Sequence, residues 1–130
     1  MTDVAFTHLT ARTDRGVLVL TITLAEMHGD LKTEALLADL ARAIGDAPSP
    51  RVVLDCGNVG VLTSMGITAL LRFRRALAEK GGRMVLACVT PPVAEVLGVT
   101  KLATPGSSGA IPFPVVSDVE AGVRALAPSS

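Results

Sequence analysis

The chain has neither tryptophan nor tyrosine, and aromatic residues make up 2% of it. That removes the stacking platforms on which most single-strand binders hold nucleic acid. Excess charge is missing too. Twelve basic and 12 acidic residues give a formal net charge of zero, so no broad field gathers a phosphate backbone. There is no run of about 18 apolar residues, the length a membrane-spanning helix requires. Near the N-terminus, Asp3 and polar neighbours stand where a signal peptide has a basic segment ahead of an apolar one. Histidine and cysteine are scarce: His8 and His28 lie far from Cys56 and Cys88 in sequence, and no zinc spacing can be built. Each cysteine sits in an apolar stretch, so both are expected as reduced, small core residues of a cytoplasmic protein. What remains is a 130-residue chain, 49% hydrophobic and 18% charged. That is ordinary for one globular domain and long enough to bury a core without disulfides or metals.

The pattern along the chain predicts strands and helices in alternation. Residues 4–10 alternate weakly and read as an edge strand. Asp14, Arg15 and Gly16 form a turn, and the β-branched run 17–24 is a central strand, so the two make a hairpin. Residues 25–29 read as a loop. A helix starts near Asp30 with Thr33, Leu36, Leu37, Leu40, Ala41 and Ile44 on its apolar face, and Asp39 and Arg42 opposite. Gly45 closes it, and Pro48 and Pro50 prevent its return. A buried strand follows at 51–55, then turn chemistry from Asp55 to Asn58 and a short apolar run at 59–62. The next helix runs from about Met65 to Lys80, with Ile67, Leu70, Leu71, Phe73, Leu77 and Ala78 as its core stripe and Gly81 and Gly82 as its stop. Arg74 lies at the edge of that stripe, and Arg72, Arg75 and Lys80 face outward with Glu79 as the lone acid. Residues 83–89 form another strand, and Thr90 caps a short helix begun by Pro91. Residues 103–112 are a Gly-, Ser- and Pro-rich loop, 113–116 a last strand and 118–126 a terminal helix capped by Ser117. The expectation is an α/β fold: one domain over 1–130, with a mixed β-sheet of about five strands packed against about four helices.

Catalytic patterns are absent. The chain has neither G-x-G-x-x-G nor a P-loop, and its Gly106-Ser107-Ser108-Gly109 lies in a loop rather than between strand and helix. Ser64 lacks the G-x-S-x-G context that would make a nucleophile of it with His28 and Asp55. Asp55 ends a strand, where receiver domains keep their phosphoacceptor. The acidic pair such domains need is reduced here to Glu26, so Asp55 is read as closing its own turn.

Ser64 carries the sequence's main functional signal. It follows a strand-like run and opens a helix, where backbone N–H groups and the helix dipole tolerate negative charge. A phosphoryl group of about −1.5 to −2 charge there leaves the domain folded and changes what its surface docks against. Met65 beside it suits a contact patch, and Gly66 permits close backbone approach.

The stretch RVVLDCGNVGVLTSMGITALL at 51–71 resembles the central part of STAS domains, the anti-sigma factor antagonists. EKGGRMVLACVTPPVAEVL at 79–97 and FPVVSDVEAGV at 113–123 extend the likeness over about residues 12–127. The resemblance implies a regulator of transcription without catalysis or cofactor, which binds a serine kinase that also acts as an anti-sigma factor. The kinase phosphorylates a serine just before the second helix and so releases the domain, and a metal-dependent serine phosphatase resets it. The family's Asp-Ser-Ser-Gly falls on Thr63, Ser64, Met65 and Gly66, which makes Ser64 the implied phosphoacceptor, with Thr63 as the alternative. The implied docking residues are Thr63, Ser64, Met65 and Gly66 together with Arg72 and Arg75. Thr63 and Met65 depart from the family's Asp and second Ser, and the 103–112 loop is longer than usual. A second expectation therefore stands beside the switch: a non-switching scaffold or sensor subunit of a larger assembly.

Overall fold

The computed structural model describes residues 8–27, 31–45, 50–99 and 114–127. Seven strands and four helices alternate in these segments: β1 (Leu9–Asp14), β2 (Val17–Ile22), β3 (Glu26–Met27), α1 (Leu31–Ile44), β4 (Arg51–Asp55), β5 (Val61–Leu62), α2 (Ser64–Glu79), β6 (Arg83–Ala87), α3 (Pro91–Val99), β7 (Val115–Val116) and α4 (Val119–Leu126). Five strands make the main sheet in the order β1-β2-β4-β6-β7, and β3 pairs with β5 apart from it. Only β1 runs antiparallel in the main sheet. The mixed five-strand sheet and four helices match the expectation.

The hairpin explains where β1 lies. Arg15 and Gly16 both have positive φ, the backbone a two-residue hairpin turn demands. That turn pairs Asp14 with Val17 and Leu9 with Ile22. The edge strand is therefore shifted toward the turn from its expected place at 4–10, of which 4–7 lie outside the described residues. The central strands read as unbroken apolar runs because both sheet faces are covered. Leu20, Ile22, Val52, Leu54 and Leu86 face a core with α1 and α2, where Leu36, Leu40, Phe73 and Leu77 meet them. Val17, Val19, Val53 and Val85 face α4 through Val123 and Leu126. A Cβ on Gly122 would lie 2.9 Å from Val53, which is how closely α4 lies on the sheet.

Several local expectations are corrected. Asp39 is buried rather than opposite the core, because its carboxylate accepts a hydrogen bond from the His8 N–H at 3.0 Å. It also lies 3.7 Å from Arg42. Ala41 and Ala78 are exposed, since the stripes through Leu36, Leu40 and Ile44 and through Leu70, Phe73 and Leu77 turn away from them. β6 stops at Ala87 instead of running to 89, because Cys88 takes φ +58. α4 is capped by Asp118, whose carboxylate accepts from the Ala121 N–H at 2.7 Å, so Ser117 is not the cap. The loop predicted at 25–29 contains β3, a strand too short for any periodicity to reveal. The Asp30 cap, Pro48, the 103–112 loop and Phe113 lie outside the described residues.

Candidate functional site

The site grows from the β3–β5 pair. Leu62 lies beside Met27 in the parallel register, which brings Thr63 onto the Met27 carbonyl. That carbonyl accepts from the Thr63 N–H and from the Thr63 hydroxyl, each at 3.1 Å. The same hydroxyl accepts from the Gly66 N–H at 3.3 Å and so caps α2. The half-buried Thr63 hydroxyl is engaged both as donor and as acceptor. Thr63 thus provides the cap, and Ser64, read from sequence as opening the helix, is its first residue.

Ser64 and Met65 are exposed, Met65 at 60%. Val61, 40% exposed, adds a second apolar side chain close by in sequence. Gly66 is buried, and the close backbone approach expected of it is made to β3. A Cβ there would come within 2.5 Å of the Met27 carbonyl oxygen, so Gly66 seats the helix start on β3 from beneath. The preceding loop is held at three points. The Gly60 N–H donates to Ala25 O at 2.8 Å, the Asn58 amide to Ile22 O at 3.2 Å and the Thr90 hydroxyl to Val59 O at 2.7 Å. Thr90, read from sequence as a cap, thus ties the start of α3 to the loop that leads to Ser64. The arrangement presents one unencumbered hydroxyl at the end of a helix, flanked by apolar side chains, on a braced platform.

The outer face of α2 carries Arg72 and Arg75 as expected, both exposed. Arg72 lies 3.3 Å from Glu34 of α1, and Arg75 lies 3.8 Å from Glu79. The sequence pattern of α2 showed Glu79 and missed Glu34, because Glu34 arrives from another helix. Exposed pairs of this kind contribute about 0–1 kcal/mol, so neither holds its arginine firmly. Arg74 is half-buried and lines a cleft together with Leu77 and Ala78.

Asp55 closes its own turn, as read from the sequence. It accepts from the Gly57 N–H at 2.9 Å and from the Thr21 hydroxyl at 3.3 Å. Both cysteines are free. They end neighbouring strands, with the Cys56 N–H bonded to Ala87 O, but they serve opposite faces of the sheet: Cys56 packs on the α1–α2 side and Cys88 on the α4 side. Burial, with Asp55 and Cys88 adding to it, pushes the Cys56 thiol up to about 12. Burial and Asp55 also raise Cys88.

The family profile described as the STAS domain matches residues 8–105. No curated protein matches the chain. Among solved structures, an anti-sigma factor antagonist (STAS) domain protein from Planctomyces limnophilus superposes with a TM-score of 0.75 at 21% identity, over 95% of this chain and all of that one. The anti-sigma factor antagonist SpoIIAA in its unphosphorylated form gives 0.67 at 18% identity, over 94% of this chain and 99% of that one. A murine Solute Carrier 26 family anion transporter gives 0.68 at 17% identity, over 85% of this chain and 18% of the transporter. At these identities the structural likeness establishes the fold.

Proposed function

We propose that this chain, which belongs to the STAS domain family, is an anti-sigma factor antagonist: a docking module that binds an anti-sigma factor serine kinase and is released by phosphorylation of Ser64. The observation that carries the reading is the division of labour at the start of α2. Thr63 caps the helix, so the exposed Ser64 hydroxyl is left for a visiting active site. The related SpoIIAA is known in unphosphorylated and phosphorylated forms, which supports a phosphorylation switch on this fold.

The switch is local. The kinase transfers the γ-phosphoryl group of its ATP to Ser64 Oγ, releasing ADP. The product carries a charge of about −1.5 to −2. The first turn of α2 accommodates that charge through its free N–H groups and dipole. The charge therefore acts against the docked partner, between Val61, Met65 and the arginines of α2. A loss of about 3 kcal/mol lowers affinity roughly a hundredfold. A serine phosphatase restores the binding form. The chain supplies the acceptor and the surface, needs no cofactor of its own, and works in the cytoplasm with its kinase. No helix among the described residues is long and apolar enough to cross a membrane.

The test uses the cognate kinase. Ser64→Ala is expected to keep kinase binding, and Ser64→Asp to weaken it about a hundredfold by calorimetry. Incubation with kinase and ATP is expected to modify Ser64. Mass spectrometry that finds every hydroxyl of the 61–66 peptide unmodified overturns the switch. Met65, apolar and exposed beside the acceptor, favours one second reading, a scaffold subunit that docks without switching. Light scattering that shows a stable high-order assembly without kinase supports it.

A further inference from the structure

β1 ends the main sheet, and among the described residues no strand pairs with its outer side. Which of its backbone groups face outward follows from the hairpin. Opposed residues of an antiparallel pair alternate between exchanging both hydrogen bonds and exchanging none. The Thr23 N–H donates to His8 O at 2.8 Å, so His8 stands at a bonded position. In the same register Thr10, Arg12 and Asp14 bond to Thr21, Val19 and Val17. Leu9, Ala11 and Thr13 therefore turn three N–H and three C=O groups away from β2. Residues Thr10 to Thr13 are exposed, so the strand is open on both faces as well as along its edge. It has no bulge in its register, no proline and no lysine, devices that blunt an edge against pairing. Its one cation, Arg12, lies 3.6 Å from Asp14 on the same face of the strand.

We propose that β1 is the interface of a homodimer, in which two copies pair their β1 strands antiparallel about a two-fold axis at Ala11 and join their sheets into one. In this register Leu9 faces Thr13 of the second copy and Ala11 faces Ala11, so every outward N–H and C=O finds a partner. Arg12 stands opposite Thr10 and Asp14 opposite His8, so no like charges oppose each other. The side chain on the axis is a single methyl group, which crowds nothing between strands about 4.8 Å apart. An axis at Arg12 would set two arginines against each other. An axis at Thr13 would run Ala11 onto Arg15, where the positive φ of the turn ends the strand. β1 is thus complementary to itself in one register, the property that an isologous interface requires. Main-chain hydrogen bonds supply the attraction over the area of one strand edge, so the dimer is weak and reversible. The axis stands perpendicular to the sheet, and the two Ser64 sites point in opposite directions along the strands.

The experiment is sedimentation equilibrium of the full chain from about 10 µM to about 1 mM, the range of a weak association. The mass is expected to rise from that of the monomer toward twice that value. Over the same range the amide protons of Leu9, Ala11 and Thr13 are expected to move downfield by NMR, and those of Thr10 and Arg12, already bonded to β2, to move less. Ala11→Lys puts two ammonium groups on the axis and is expected to weaken the dimer at least tenfold. Ala11→Pro removes the central outward donor without touching a bond to β2, and is expected to abolish the dimer. Met65→Ser is expected to leave it unchanged. The proposal is overturned if the chain stays monomeric to about 1 mM, if both Ala11 variants dimerise as well as the parent, or if the downfield shifts fall on Thr10 and Arg12 instead. A chain that stays monomeric while a foreign extended peptide pairs with β1 overturns it too. The amide pattern of the unmodified chain keeps the test decisive even if a variant loses its fold. The outcome does not depend on whether Ser64 is phosphorylated.

Discussion

In the proposed switch, Thr63 and Ser64 divide two tasks that one hydroxyl cannot perform together. A capping oxygen is held against backbone N–H groups, whereas an acceptor must swing into a foreign active site. Thr63→Ala removes both the bond to Gly66 N and the bond to Met27 O, and is expected to lower stability by about 1–2 kcal/mol in urea unfolding, with Thr63→Ser retaining most of it. Cys56 gives a pH prediction. Its folded value of about 12 lies above that of an exposed thiol, so below the exposed value its contribution to stability is constant. As pH rises from about 8.5 toward 12 the unfolded chain loses this proton and the folded chain keeps it, and stability falls by at most about 1.4 kcal/mol per pH unit. Cys56→Ala is expected to lack that part of the slope, read from urea midpoints across the same range. Equal slopes in parent and variant contradict the assignment.

At the scale of elements, short pieces do the positioning. β3 and β5 contribute two residues each, yet they fix the start of α2 and with it the height of Ser64 above the sheet. α4 has eight residues and holds its face of the sheet by close approach at Gly122, where Val53 and Val85 leave no room for a side chain. Gly122→Ala is expected to cost about 1–3 kcal/mol despite the better helix propensity of alanine, since the valine methyls would have to shift. A thermal melt checks it, and an alanine variant as stable as the parent would show that α4 can slide. Arg15 reaches from the hairpin turn to Glu120 at the start of α4, but both side chains are exposed and the pair adds little to the hold of Gly122.

For the molecule as a whole, one sheet carries two cores back to back. Val53 and Leu54 are adjacent in β4, both fully buried, and point into different cores. We infer that 1–130 unfolds as one cooperative unit. Val53→Ala and Leu54→Ala are each expected to move a single transition to lower denaturant, with circular dichroism and chemical shifts of both cores coincident. Two separable transitions would show that the α4 layer melts on its own.

Apolar runs at 17–24, 51–55 and 83–89 marked the parallel core strands, which end in the structure at Ile22, Asp55 and Ala87, because a strand covered on both faces reads as a continuous apolar run. Helical spacing determined most of both α1 and α2 stripes, and the position of Ser64 after a strand and before a helix was readable as an exposed helix start. The tertiary structure decided what depends on groups distant in sequence. Asp39 is buried because the backbone of His8 meets it from 31 residues away. Thr63, not Ser64, caps α2 because Met27 supplies its second bond from 36 residues away. A cleft lined by Arg74, Leu77, Met84 and Pro114 exists because a helix end and a strand start converge there. Periodicity reports the environment along one element, and a hydrogen bond or a cleft between elements exists only once the chain has folded.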